Sequence, residues 1–223
     1  MQHFTYELIT FPEYIIEFKA KSKKEQTKTE AKKYFDWMMS IMPKRLEILI
    51  DTVKNDGISL DYSRESLEKL QSWFYDNIFP SENTKIDHDG KEYHDISFET
   101  YCLCLDISMY LNETIRRQAP DLLLWDFDRS SKNYADRHEP VIKGFTYKQE
   151  FPSETKVTST ARCFFHWNTK FEDFLTKQFD LWIKEIPEPG KEYILKGVDN
   201  DRQQKVPDSV LEQFGIKRDS KKK

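Results

Sequence analysis

The chain has few residues of the kinds that build tight turns or cross-links. Its 223 residues include six glycines and three cysteines. So little glycine argues against an all-β fold of tight turns and against glycine-rich phosphate loops. No Walker-type or dinucleotide-binding loop occurs, and no GxSxG nucleophile motif. Cys102 and Cys104 stand two apart on a stretch that reads as helix, where their side chains diverge. Cys163 lies in an apolar run, and none of the three has metal spacing or a CxxC pattern. Free thiols in a reducing compartment are expected, so the predicted location is cytoplasmic. The opening residues MQHFTYELITFPEY lack a basic run and an unbroken apolar stretch, so no signal peptide is expected. No run approaches the ~18–20 apolar residues that span a bilayer, and no membrane is expected among the partners.

Charge of one sign is also missing. The 35 basic and 39 acidic residues are interspersed and leave a net charge of −4. That balance offers nucleic acid no general attraction, and none is expected as a partner. Residues 217–223, KRDSKKK, are the exception and read as a frayed, solvated terminus. Aromatics are plentiful at 14%. A folded protein with an aromatic-rich core and a heavily charged surface is therefore expected.

Residues 97–118, SFETYCLCLDISMYLNETIRRQ, are the stretch that should organise the rest. Phe98, Tyr101, Cys102, Leu105, Met109 and Asn112 follow one helical stripe. Cys104, Ile107, Ser108, Leu111 and Ile115 follow its neighbour. The resulting apolar arc is wider than a surface helix needs, which predicts a largely enclosed helix. One narrow charged line remains, Glu99, Asp106 and Glu113 at seven-residue steps, with Arg117 one turn beyond Glu113. Glu113 is predicted to pair with Arg116 or Arg117, which stand at helical pairing distance. Whether the line faces bulk water or the floor of a pocket stays open.

Around that helix, residues 3–20 read as one or two strands broken at Pro12, with a short helix over 14–18 as the alternative. A helix carrying Ala31, Tyr34, Phe35, Met38, Met39 and Met42 meets Pro43, where it either kinks or gives way to a second helix. Asn55-Asp56-Gly57 is a helix stop. Ser63 is a predicted N-cap for a helix carrying Leu67, Leu70, Trp73, Phe74 and Ile78. Residues 81–95 read as a polar loop. After Pro120 the pattern predicts strands over 122–127 and 141–145, and a third within 155–167. A helix follows over 169–186 with Thr169 as its cap, then a short strand at 193–195 and a short helix over 208–214. The predicted fold is α+β, a helical core around a central buried helix with a small, mainly antiparallel sheet. One globular domain is expected over residues 1–200, with a C-terminal appendage over 201–223.

Two phrases in this chain resemble a group of bacterial domains of unknown function. One is Leu60-Asp61-Tyr62-Ser63-Arg64-Glu65-Ser66-Leu67, similar to an LDYSPESL phrase that opens a helix in that group. The other is Tyr110-Leu111-Asn112-Glu113, similar to YLGE, followed by Arg116, Arg117 and Trp125. The resemblance covers roughly residues 58–145. Arg64 stands in place of the proline and Asn112 in place of the glycine. It implies an immunity-type or partner-binding role and brings no catalytic residues with it. The residues also have plain structural readings. Asp61 and Ser63 suit a helix entry, because short polar side chains satisfy its free amides.

No catalytic residues, cofactor or metal are assigned. Asp87, His88, Asp89, His94 and Asp95 crowd one segment, but not at a recognised ligand spacing. The function expected is a non-enzymatic protein-binding module, for example an immunity-type protein that neutralises a specific protein partner. The alternative is an enzyme or small-ligand sensor with a site between the central helix and the sheet. Asp106, Glu113, Arg117, Trp125 and His166 are the candidate binding residues. The oligomeric state is not legible.

Overall fold

The computed structural model describes residues 6–129, 137–146, 151–188, 193–195 and 216–218. The central helix, α4 (Phe98–Arg116), lies where the pattern put it. Ser97 caps it by accepting from the Thr100 amide, and every residue from Cys102 to Ile115 is buried. Such a helix has to be enclosed on all sides. Helices α2 (Lys28–Lys54), α5 (Ser153–Trp167) and α6 (Phe174–Ile183) and strand β4 (Pro140–Lys143) pack on it. The fold is α+β, as the pattern indicated, with helices in the majority.

The N-terminal region takes the helical alternative and not the strands. Residues 13–20 form helix α1 (Glu13–Ala20), which starts directly after Pro12. Ile15 and Phe18, three apart, are its buried pair. They join Ala31, Tyr34, Phe35 and Phe127 in a second, smaller core beside the main one. Helix α2 runs unbroken through Pro43 for 27 residues. Its start is secured by a capping box, Thr27 accepting from the Glu30 amide and Glu30 from the Thr27 amide. It stops at Asn55-Asp56-Gly57, with Gly57 left-handed at φ 79°. Ser63 then caps α3 (Arg64–Phe74) as predicted.

Residues 81–95 are mostly a hairpin, not a loop. Strand β1 (Pro80–Ile86) pairs antiparallel with β2 (Glu92–Ile96). The hairpin buries little but Ile96, so it lacks the alternation that marks a strand in sequence. Its hold comes from α5: His166 bonds Asp87 at 3.0 Å, Arg162 bonds Asp95 at 3.1 Å, and the Tyr93 ring stacks on His166 at 4.0 Å.

The predicted third strand, within 155–167, is helix α5. Its β-branched residues suggest a strand. Its buried positions Ser153, Val157, Thr158, Thr160 and Ala161 include the three- and four-residue steps of a helix. Thr158 and Thr160 return their hydroxyls to the carbonyls of Glu154 and Lys156, which accommodates them within the helix. The sheet of this region is thus two-stranded, β3 (Leu124–Phe127) antiparallel to β4 with Trp125 opposite Ile142. Gly144, just after β4, has φ 112°, and a Cβ there would sit 2.4 Å from the Leu122 carbonyl oxygen, so only glycine fits.

Helix α6 is shorter than predicted, and Thr169 does not cap it. Asp173 is its N-cap residue but makes no side-chain cap bond. The buried Gln71 side chain from α3 takes over, accepting from the amides of Leu175 and Thr176 at 3.1 and 3.2 Å. Strand β5 (Tyr193–Leu195) falls where expected. It pairs in parallel with β6 (Ile216–Arg218), which replaces the start of the predicted frayed tail. The helix predicted over 208–214 lies outside the described residues. Among the described residues no helix is long and apolar enough to cross a membrane.

Candidate functional site

The segments 60–67 and 110–113 meet in space. The Tyr62 amide donates to the Tyr110 hydroxyl at 2.7 Å, and the Tyr110 and Ser66 hydroxyls share a bond of 2.6 Å. The Tyr62 and Tyr110 rings stack at 4.8 Å. Tyr62 is held in the left-handed region at φ 62°, a strained setting for an aromatic residue that its surroundings must enforce. Asp61 and Ser63 do so from either side. Asp61 accepts from the Ser63 amide, and Ser63 accepts from the Ser66 amide.

Arg117 lies over the outer face of Tyr62, its guanidinium carbon 3.4 Å from the ring centre. This is close cation–π contact. Its Nε donates to Glu113 Oε1 at 3.0 Å, while Arg116 forks onto both Glu113 oxygens at 2.8 and 2.9 Å. The Trp125 indole N–H, arriving from β3, donates to Glu113 Oε2 at 3.3 Å. Glu113 is thus fully engaged. Burial pushes its carboxyl upward, but the bonds from Arg116 and Arg117 outweigh that and hold it below the usual carboxylate range. Arg117 is different: its side chain is 47% exposed, and among the described residues its terminal nitrogens take no hydrogen bond.

Of the five candidate residues the structure brings Glu113, Arg117 and Trp125 together and places two elsewhere. Asp106 is fully buried between α4 and α2. Arg45 forks onto it through Nε at 3.1 Å and Nη2 at 2.7 Å, and the Tyr6 hydroxyl donates to it at 2.5 Å. His166 sits at the far end of α5, bound to Asp87 of the hairpin. The charged line therefore splits three ways: Glu99 faces water, Asp106 lies inside, and Glu113 is locked at the rim.

One polar cluster leaves no trace in the sequence. Lys19 of α1 bonds both Glu139 and Glu154, at 3.1 and 2.8 Å, and Lys23 also reaches Glu139. The Tyr34 and Tyr101 hydroxyls donate to Glu154 at 3.0 and 3.1 Å. Burial, reinforced by Glu139, pushes the Glu154 carboxyl up against the pull of Lys19. Glu139 is subject to the same burial, but Lys19 and Lys23 hold it low. The hydrogen bonds that build it link residues 53 to 135 positions apart, so no local spacing could reveal it. The cluster joins α1, α2, α4 and α5 to the residue before β4, and its groups are satisfied by one another.

A narrow cavity lies between α4, α5 and β3, lined by Leu105, Ser108, Asn112, Trp125, Ser153 and Glu154 among others. It leaves ≈ 10 Å³ for the centre of a water molecule, about one water. Among the described residues no group of three or more His, Cys, Asp or Glu side chains could hold a metal ion. Protein-family models, curated proteins and solved structures yield no match to this chain.

Proposed function

We propose that the chain is a non-enzymatic protein-binding module, an immunity-type protein of a bacterium or its phage that neutralises a specific partner. The contact centres on Arg117 and the aromatic residues around it. One observation carries this reading. Arg117 is oriented by Tyr62 and Glu113, yet about half of its side chain is exposed and its terminal nitrogens have no bonded partner among the described residues. An arginine held in place before binding loses little freedom on binding, and Arg, Tyr and Trp dominate the energetics of protein interfaces. The strain at Tyr62 supports the same reading, since strained backbone collects at functional positions.

A cytoplasmic location goes with this reading. Its support is that Cys102, Cys104 and Cys163 are free, the first two buried, a state that reducing conditions preserve. The enzyme or sensor reading has less support, because Asp106 and His166 stand apart from the other three and the cavity admits about one water.

The test is a tagged pull-down from the native cells with the wild-type chain and with Arg117→Ala. One protein should be recovered at near-stoichiometric ratio by the wild type, and at least about ten-fold less by the variant, the scale of a hot-spot truncation. Recovery of nothing, or equal recovery by both chains at equal stability, sinks the proposal.

A further inference from the structure

Asn112 poses a problem that the fold leaves unanswered. It is 1% exposed, and among the described residues its Oδ1 has no hydrogen-bond partner. A buried acceptor with nothing to accept from is costly and rare in a folded protein. The cavity described above borders this side chain.

Two serines on the cavity wall also offer lone pairs. Ser108 spends its hydroxyl proton on the Cys104 carbonyl at 2.6 Å, and Ser153 spends its own on the Ser108 carbonyl at 3.0 Å. What remains on both oxygens is acceptor capacity. Glu154, also on the wall, is already engaged by Lys19 and Tyr101 on Oε1 and by Tyr34 on Oε2. The rest of the wall is apolar, with Met38, Leu105, Met109, Pro140 and the Trp125 side chain.

We propose that this cavity is a binding site for one small hydrogen-bond donor the size of a water molecule, seated on Asn112 Oδ1 and bridging α4 to α5. Water and ammonium share that chemistry. Each has one heavy atom and several protons to donate into a ring of acceptors, and ammonium would also meet the Trp125 side chain. The occupant ties Asn112 of α4 to Ser153 at the start of α5. The cavity shares Trp125 with the Arg117 surface: the side chain lines the cavity while the indole N–H donates to Glu113.

Two measurements decide it. The first is a high-resolution crystal structure of the wild-type chain. It should show a single peak in the cavity at hydrogen-bond distance from the Asn112 amide, and an empty cavity overturns the proposal. The second is the thermal midpoint of Asn112→Leu, an apolar near-isostere. If a donor is bound, the variant strands it and Tm should fall by about 2–4 °C. If nothing is bound, removing an orphaned acceptor raises Tm, which also overturns the proposal. Matched ammonium and sodium chloride solutions separate the two sources. A rise in wild-type Tm in ammonium alone, absent from Asn112→Leu, assigns ammonium. Equal midpoints with the peak present assign water.

Discussion

Asp106 and Glu113 stand seven residues apart on one helix, and each receives a forked arginine. Their surroundings make them opposites. Asp106 is completely enclosed, and its arginine comes from α2, 61 residues away. Glu113 keeps 8% of its side chain exposed and draws its arginines from its own helix, three and four residues on. Burial lifts the Asp106 carboxyl to about 6 despite Arg45 and Tyr6. Glu113 feels the same upward push, yet its arginines hold it below its ordinary value. The same ion-pair chemistry thus does two jobs. Inside, it fixes how α2 packs on α4. At the rim, it orients Arg117 and leaves the end of that side chain available.

The comparison is broken most severely by removing Arg45. A carboxylate left buried without its cation costs about 3–5 kcal/mol, so Arg45→Ala should lose about that much stability by urea denaturation at alkaline pH. The loss should shrink in mildly acidic solution, because Asp106 can take up a proton instead of staying charged. The double variant Arg45→Met with Asp106→Leu should recover most of the loss, since well-packed apolar residues replace buried ion pairs at little cost. A loss that does not depend on pH would show that charge is not what Asp106 and Arg45 hold between them.

Titration tests the opposite shifts directly. A carboxyl whose folded pKa lies above its ordinary 3.8 holds its proton more tightly in the folded chain. The stability it contributes is complete below 3.8 and is lost as pH rises through about 6. Glu113 has the reverse sign. Held below its ordinary 4.5, it contributes stability above that pH and loses it as pH falls through its folded value. Carbon NMR of the two side-chain carboxyls should therefore give a midpoint near 6 for Asp106 and one below 4.5 for Glu113. Midpoints in the reverse order would mean that burial does not dominate at Asp106 and that the arginines do not dominate at Glu113.

The contrast also explains what can be read from the sequence. Glu113 pairs with arginines three and four residues on, so helical spacing alone exposes the contact. The Ser63 and Ser97 caps and the wide apolar arc of α4 are legible for the same reason, because their physics is local. Arg45 and Asp106 meet only through the packing of α2 on α4, and the Lys19 cluster only through a five-element junction. Helix α5 reads as a strand because of its β-branched composition, while its contacts with α4 hold a helix. The hairpin reads as a loop because it is anchored by polar contacts to α5 and not by an apolar face. Of the candidate site, the half built on one helix and its neighbouring strand is accessible. The Tyr62 platform under Arg117 is present as a motif, but its place beneath the guanidinium depends on the fold.

The smallest effects bear most closely on function. Glu113→Gln keeps the shape of the rim but removes the charge that two arginines share, and should cost about 1–2 kcal/mol. Arg117→Ala should cost at most about 1 kcal/mol, as expected of a half-exposed ion pair. Both should fall well short of Arg45→Ala, which is the sense in which the rim pair is dispensable for folding. Partner recovery should rank them differently. Glu113→Gln leaves Arg117 stacked on Tyr62 but weakens the hold on its Nε, so recovery should fall, though less than for Arg117→Ala. If recovery instead follows stability, with Arg45→Ala the poorest binder and Arg117→Ala the best, the rim does not carry recognition and the contact surface lies elsewhere.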